Sequence, residues 1–478
     1  MSKPLGPITT LLDLTNRDLQ ENDIFPLNTN ETWFTRDSNR RTIPFAPIVQ
    51  EIPFRGPAAF GQRFSFDIGS LQAGDLLFGT ALQIRLDHWL DPQLQLLVDA
   101  GVYSPLDASG AWEYANSLGT AIIQEAELEI DGQTIETIDG DFINTFSHLY
   151  PDYNGQFGVA YDHLGRISLQ RLINLQNARL YPTEDGVLHC VLPFFFMRTR
   201  LQDSLPLIAI REGMVKIHIT LRPFEQCVRQ IRGFRDNCDA TPLNQTLTYI
   251  QSGQNQPRYA TTSVAVPPFK NIQLITYGAL IQGQLRQKML RQPFEMIHRE
   301  VQTFSFDEPL KYAVSKGIDT VRIQLPLEAN HPLEEIVWFI RRKGVSENNA
   351  WTNYTAFLER GWPGLRIVQD TQMLTSAAVQ VNGITICEAE GQYFRQLIAS
   401  AHKGGASAYN AFIYGYPFAR TPGEHQPSGT LNASRVNSLR LTLEVQAPGD
   451  DGWEVKVFCI GINWMRFENG LANPMFDD

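Results

Sequence analysis

Long apolar runs, paired cysteines and the short motifs of catalysis are all scarce in this chain, and each scarcity removes a class of protein. The longest apolar stretch, VLPFFFM at 191–197, is far too short to span a bilayer. The opening MSKPLGPITTLLDLT has no signal-peptide core, so synthesis in the cytoplasm is expected. Five cysteines (Cys190, Cys227, Cys238, Cys387, Cys459) are scattered without C-x-x-C spacing, which argues for reduced thiols over a disulfide framework or a zinc site. No Gly-Lys dipeptide occurs, so the phosphate-cradling loop ending in Gly-Lys-Ser/Thr is excluded. There is no H-E-x-x-H, and no two of the nine histidines lie two apart, so the His-x-His strand of a double-cupin metalloenzyme is missing. Charged residues make up 19 %, below the roughly 25 % usual for soluble domains, which points to surface covered by partners. The net charge of −11 gives no global attraction to nucleic acid. Arg198, Arg200, Arg211, Lys216, Arg222, Arg229, Arg232 and Arg235 form one local basic stretch, read as a solvated or interface cluster.

What is present is strand signal. RFSFDI, ALQIRL, AELEI, MVKIHITL, TVRIQLPL, AVQV, LRLTLEV and VKVFCIGINW are short, alternating or apolar, and punctuated by Gly, Pro, Asn and Asp. One stretch is written twice: LEIDGQTIETIDG at 128–140 and VQVNGITICEAEG at 379–391 share Gly132/Gly383, Thr134/Thr385, Ile135/Ile386 and Gly140/Gly391 at a constant offset of 251. Asp131-Gly132 and Asn382-Gly383 tolerate positive φ at both turn centres, so each stretch is expected to be a two-residue hairpin. Such hairpins would set Leu128 opposite Ile135 and Val379 opposite Ile386 as apolar pairs facing a core. FSFD at 64–67 and 304–307, LQIRL and VRIQL, and FFFMR and YPFAR recur around the hairpins in the same order. The expected fold is all-β, an internal duplication giving two tandem eight-stranded jelly-roll sandwiches. The divisions read from the sequence are an N-terminal arm at 1–46, a first jelly roll at 47–224, a linker and loops at 225–266, and a second jelly roll at 267–478. The loop at 345–365, with Trp351 and Trp362, reads as tip decoration whose aromatics anchor an interface.

Candidate chemistry is thin. The GASA around Ser407 lacks the second glycine of a nucleophile elbow. Asp139 and Asp141 are read as lying on opposite strand faces, with Gly140 between them at a turn, although a glycosidase pair can come from anywhere in a fold. His331, Glu334 and the DNCD segment at 236–239 read as surface polar groups, not metal ligands. No catalytic, cofactor-binding or metal-binding residue is assigned, and no cofactor is expected. A carbohydrate-binding or glycan-cleaving double β-sandwich stays open as the alternative, because jelly rolls also serve lectins and hydrolases.

Longer segments resemble a known family. NTNETWFTRDSNRRTIPFA (28–46), NSLGTAIIQEAELEIDGQTIETIDGDFI (116–143), LPFFF with SLPLIAIREGMVKIHITLRPF (204–224), YGALIQGQLRQKMLRQPFEMIHREVQ (277–302), PSGTLNASRVNSLRLTL (427–443) and the closing ENGLANPMF are similar to segments of the double jelly-roll major capsid proteins of large nucleocytoplasmic DNA viruses, the iridovirus and phycodnavirus type. Ala433 and Asn437 depart from that pattern, where the family usually has an aromatic residue and Asp. The resemblance implies a structural virion protein, not an enzyme. It implies a homotrimer forming a pseudo-hexagonal capsomer in an icosahedral shell, so that six similar domains come from three chains. The implied partners are neighbouring capsomers, minor capsid proteins beneath the shell and a penton protein, with an internal membrane nearby and no direct nucleic acid. The arm carrying Arg36, Arg40 and Arg41 is a candidate contact under the capsomer.

Overall fold

The computed structural model describes residues 45–86, 106–107, 110–149, 164–166, 186–198, 203–211, 214–232, 237–240, 246–250, 259–263, 269–307, 320–343, 349–355, 372–402, 412–424, 426–446 and 452–475. The arm residues Arg36, Arg40 and Arg41, Ser407 and Trp362 lie outside them. Residues Ala46–Asp478 fold as one unit, and within it sixteen strands form two sandwiches.

The first sandwich uses β1 (Phe45–Pro53), β2 (Arg63–Ile68), β3 (Leu76–Leu86), β4 (Ile123–Ile130), β5 (Gln133–Asp139), β6 (Val187–Val191), β7 (Val215–Leu221) and β8 (Phe269–Ile281). Its sheets run β1-β8-β3-β6 and β2-β7-β4-β5. The second uses β9 (Phe294–Phe306), β10 (Val321–Leu327), β11 (Pro332–Arg342), β12 (Leu374–Val381), β13 (Ile384–Glu390), β14 (Ile413–Pro417), β15 (Leu439–Val445) and β16 (Trp453–Glu468), in sheets β9-β16-β11-β14 and β10-β15-β12-β13. The two orders are the same when each strand is matched with the one eight later. Each sandwich is therefore an eight-stranded jelly roll, and the chain is a double jelly roll. Helix α1 (Gly140–Leu149) follows β5, and helix α2 (Gly391–Ala401) follows β13 at the same place in the second roll.

Alternation explains how these strands sit. In β7, Val215, Ile217, Ile219 and Leu221 are buried while Lys216, His218 and Thr220 are only half-buried. Phe64, Phe66 and Ile68 of β2 point the same way. Between them and Leu82, Ile84 and Leu86 of β3 lies a core continuous with that of the second roll.

Both expected hairpin turns are present, with φ of 55° and 83° at Asp131 and Gly132 and 51° and 80° at Asn382 and Gly383. The cross-strand pairs differ from expectation. Leu128 faces Glu136 and Val379 faces Cys387, because a bulge follows each turn and inserts one extra residue. The bulge falls at matching positions in both hairpins, so the duplication extends to an irregularity that the pairing rule ignored. The bulge turns Ile386 outward, whereas Leu128 and Val379 are buried in the core and Ile135 packs at its margin.

Gly140 and Gly391 have a common cause. A Cβ on Gly140 would lie 2.4 Å from the Thr120 carbonyl oxygen and 2.5 Å from that of Ile123. One on Gly391 would lie 2.8 Å from the Leu374 oxygen, so each strand-to-helix junction presses its backbone on the segment before it.

Four sequence readings shift. FSFD falls on β2 in the first roll and on β9 in the second, where β9 matches β1; the echo is off by one strand. LQIRL lies on β3 and VRIQL on β10, also non-equivalent strands. The stretch at 269–281, placed by sequence in the second roll, pairs along β3 from Phe269–Leu86 to Ala279–Leu76 and completes the first roll's sheet. The stretch at 225–266 is more than linker: Val228–Arg232 pairs with Gly110–Tyr114, and Thr246–Ile250 with Tyr259–Ser263. Its strands are only four or five residues long amid Gln and Asn, too short for periodicity to stand out.

Candidate functional site: the seam between the two jelly rolls

The α1 helix is where the first roll meets the second. Asp139 caps it, accepting from the Phe142 amide at 2.7 Å. All ten residues of α1 are buried, including Asp141, Asn144 and His148. Phe142 packs edge-on to Phe458 of β16 with ring centroids 5.2 Å apart.

Around that aromatic contact runs a buried charge cluster. Arg341, near the end of β11, donates to both oxygens of Asp141 at 2.6 and 3.1 Å and to Glu454 of β16 at 2.5 Å. Lys456 of β16 donates to Asp141 at 2.9 Å and is also bonded to Asp139. Arg222 lies over the Trp351 ring at 4.2 Å, and the Trp351 indole donates to the Gln226 carbonyl at 2.8 Å. Beside it the Asn349 amide donates to the carbonyls of Glu225 and Val228 at 2.6 and 2.7 Å. Further along, Asn144 donates to the Tyr354 hydroxyl at 2.9 Å while Arg166 donates to Asn144 at 2.8 Å and to Ser147 at 2.6 Å. A second buried cluster joins the rolls: Arg299 of β9 binds Glu334 of β11 at 3.0 and 3.2 Å and Asp203 of the first roll at 3.4 Å.

The electrostatics follow from burial. Desolvation alone would raise the Asp141 carboxyl, but Arg341 and Lys456 outweigh it and hold Asp141 well below the usual carboxylate range. Burial lowers Arg166 to about 10. Burial raises the Tyr354 hydroxyl, with the nearby Asp141 charge adding to the effect. Buried thiols Cys190 and Cys227 are pushed up to about 12, so they are inert. Arg341 is ion-paired to Asp141 and Glu454, and Lys456 to Asp139 and Asp141, so the charges at the centre of the cluster serve to join the two sandwiches.

Several sequence readings change here. Asp139 and Asp141, read from the sequence as lying on opposite faces, converge on Lys456: a two-residue spacing keeps to one face of a strand, and here the strand ends at Asp139 and the helix carries Asp141. Glu334 is not a surface group: it is fully buried against Arg299, while His331 pairs with Glu300 at 2.5 Å. Trp351 is an anchor, but between the two rolls of one chain. Arg341 and Lys456 were missed, although a charge inside the apolar runs EEIVWFIRR and WEVKVFCIG was a readable signal. Among the described residues no three His, Cys, Asp or Glu side chains gather as a metal site, and no helix is long and apolar enough to cross a membrane.

Comparison with known proteins places this architecture. The model for the major capsid protein N-terminus matches residues 32–254, and that for the large eukaryotic DNA virus major capsid protein matches 286–473. The major capsid protein of Phaeocystis pouchetii virus is 23 % identical over 95 % of this chain and 97 % of its own length. Among solved structures, the quasi-atomic model of the PBCV-1 virus capsid superposes with a TM-score of 0.65 at 18 % identity, covering 93 % of this chain and all of that one. The Faustovirus major capsid protein gives 0.65 at 11 % identity, covering 97 % of each. The relatives are structural proteins of capsids, not enzymes. With both halves matched in order and the double jelly roll in place, the chain belongs to the major capsid proteins of large eukaryotic DNA viruses.

Proposed function

We propose that this major capsid protein works as a homotrimer, a pseudo-hexagonal capsomer that tiles the icosahedral outer shell of the virion. The supporting observation is the duplication itself: two eight-stranded rolls of the same strand order, fixed side by side by a buried seam. Three such chains supply six similar domains, which suits a lattice site with six neighbours. The working division is an arm before residue 45, a first roll from β1 that extends through β8 to residue 281, and a second roll from 294 onward. The inserted strands of 228–263 belong to the first roll's connections. The chain is made in the host cytoplasm and ends in the virion. Its partners are other copies of itself, minor capsid proteins beneath the shell and a penton protein, with the internal membrane nearby and no direct role for nucleic acid. Negative-stain imaging of purified protein tests this: pseudo-hexagonal particles with three-fold averages are expected, and a field of single double-lobed particles would oppose it.

A further inference from the structure

Two strand edges, one from each roll, border a groove at the seam. Among the described strands β5 is the last of its sheet and β9 the first of its own. The groove between them has a volume of about 520 Å³, with β5 and the start of β4 on one side and Glu300–Thr303 of β9 on the other. That size lies within the ~300–1,000 Å³ usual for clefts that hold a ligand. One chain supplies both walls, so the site is complete in a single copy.

The β9 edge is open in a way that edges rarely are. It pairs with β16 at every residue from Phe294–Phe467 to Phe306–Val455 without a bulge, and its sequence FEMIHREVQTFSF has no proline. In an antiparallel pair, alternate residues turn their N–H and C=O away from the partner. Along Glu300–Thr303 the backbone pairs only with β16 among the described residues. A long regular edge is a template for another strand, and proteins normally blunt or cover it. β1, which holds the same place in the first roll, carries Pro47 and Pro53. No such device interrupts β9.

The lining says what kind of strand fits. Ile135 on one wall and Val301 on the other are half-buried, an apolar strip between the edges. No Lys, Arg or His lines the groove, whereas Glu125, Glu136, Asp139 and Glu300 do. Glu136 accepts from the Phe195 amide at 2.9 Å, while Asp139 and Glu300 are bonded to Lys456 and His331. Glu125 stands directly opposite Asp139 across β4 and β5, a like-charge pair that a further cation in the groove would relieve.

We infer that this groove takes an extended segment of another protein, one in which apolar and basic residues alternate, laid along the free edge of β9. Main-chain hydrogen bonds to β9 supply the affinity, and side chains set the register: apolar ones over Ile135 and Val301, a Lys or Arg toward Glu125.

The test uses the full chain and a labelled peptide alternating valine with lysine, followed by fluorescence anisotropy. Saturable binding is expected, with little or none for the peptide alternating valine with glutamate or for the lysine peptide N-methylated at every residue. Equal binding of the glutamate peptide overturns the charge argument, and equal binding of the methylated one overturns the strand pairing. Glu125→Lys should leave circular dichroism unchanged and weaken the lysine peptide at least ~5-fold, the most that one exposed ion pair contributes; unchanged binding overturns the inference. Benzoylphenylalanine in place of Thr303, an exposed lining residue, should cross-link to the bound peptide. Cross-links to residues 1–44 of the chain, with the peptide excluded, would make the chain's own arm the occupant and overturn the assignment to another protein.

Discussion

Replacing Asp141 with Asn should loosen the whole double sandwich, although the substitution changes a single heavy atom. Asp141 accepts three hydrogen bonds, two from Arg341 at 2.6 and 3.1 Å and one from Lys456 at 2.9 Å. Around it the carboxylates Asp139, Asp141 and Glu454 balance the cations Arg222, Arg341 and Lys456. Asp141→Asn leaves that buried group one positive charge in excess, and stranding a charge in a buried pair costs about 3–5 kcal/mol. At roughly 2 cal/mol/K of unfolding entropy per residue, a unit of this size should melt ~3–6 °C lower. The deficit also depends on pH. The folded-state pKa of Asp141 lies below its ordinary 3.8, so its contribution is complete above about pH 5 and is lost as pH falls through the folded value. Melting of wild type and variant, at matched protein concentration from pH 7 to pH 3, should show the two curves converging in acid. A variant within ~0.5 kcal/mol of wild type at pH 7 would refute the reasoning, as would a deficit that stays constant with pH.

Gly140→Ala should destabilise by at least ~1–3 kcal/mol, because its Cβ would meet two backbone oxygens that cannot rotate away; Gly391→Ala, facing one oxygen at 2.8 Å, should cost less. Chemical denaturation of both variants checks the order. Gly383→Ala, at φ 80°, should cost ~1 kcal/mol, and Asn382→Ala should add the loss of its bonds to the Asn437 and Ser438 amides at 2.8 and 3.2 Å. Urea midpoints with an unchanged slope would check this pair. Adding a chelator should leave the melting temperature where it was, since the cores are large enough to fold without metal; a large drop would revive a metal-dependent reading.

What could be read from sequence was local. Asp131-Gly132 and Asn382-Gly383 declare their turns because positive φ is a property of those residues themselves. The bulge beside each turn was hidden, since it depends on how two strands settle against a third. The 269–281 stretch reads as a strand anywhere, but only its partner β3 says which sandwich it completes. FSFD misled for the same reason: similar letters suit any strand with one buried face. The seam was hidden most deeply, because Asp141 and Arg341 lie 200 residues apart and neither carries a motif. The family resemblance supplied the partner expectations that neither periodicity nor spacing could.

The most direct test of the capsomer account is the absolute mass of the purified native chain in solution, by light scattering across a dilution series. The account predicts one species of about three times 54.1 kDa that persists on dilution. A stable monomer of 54.1 kDa at micromolar concentration would contradict it.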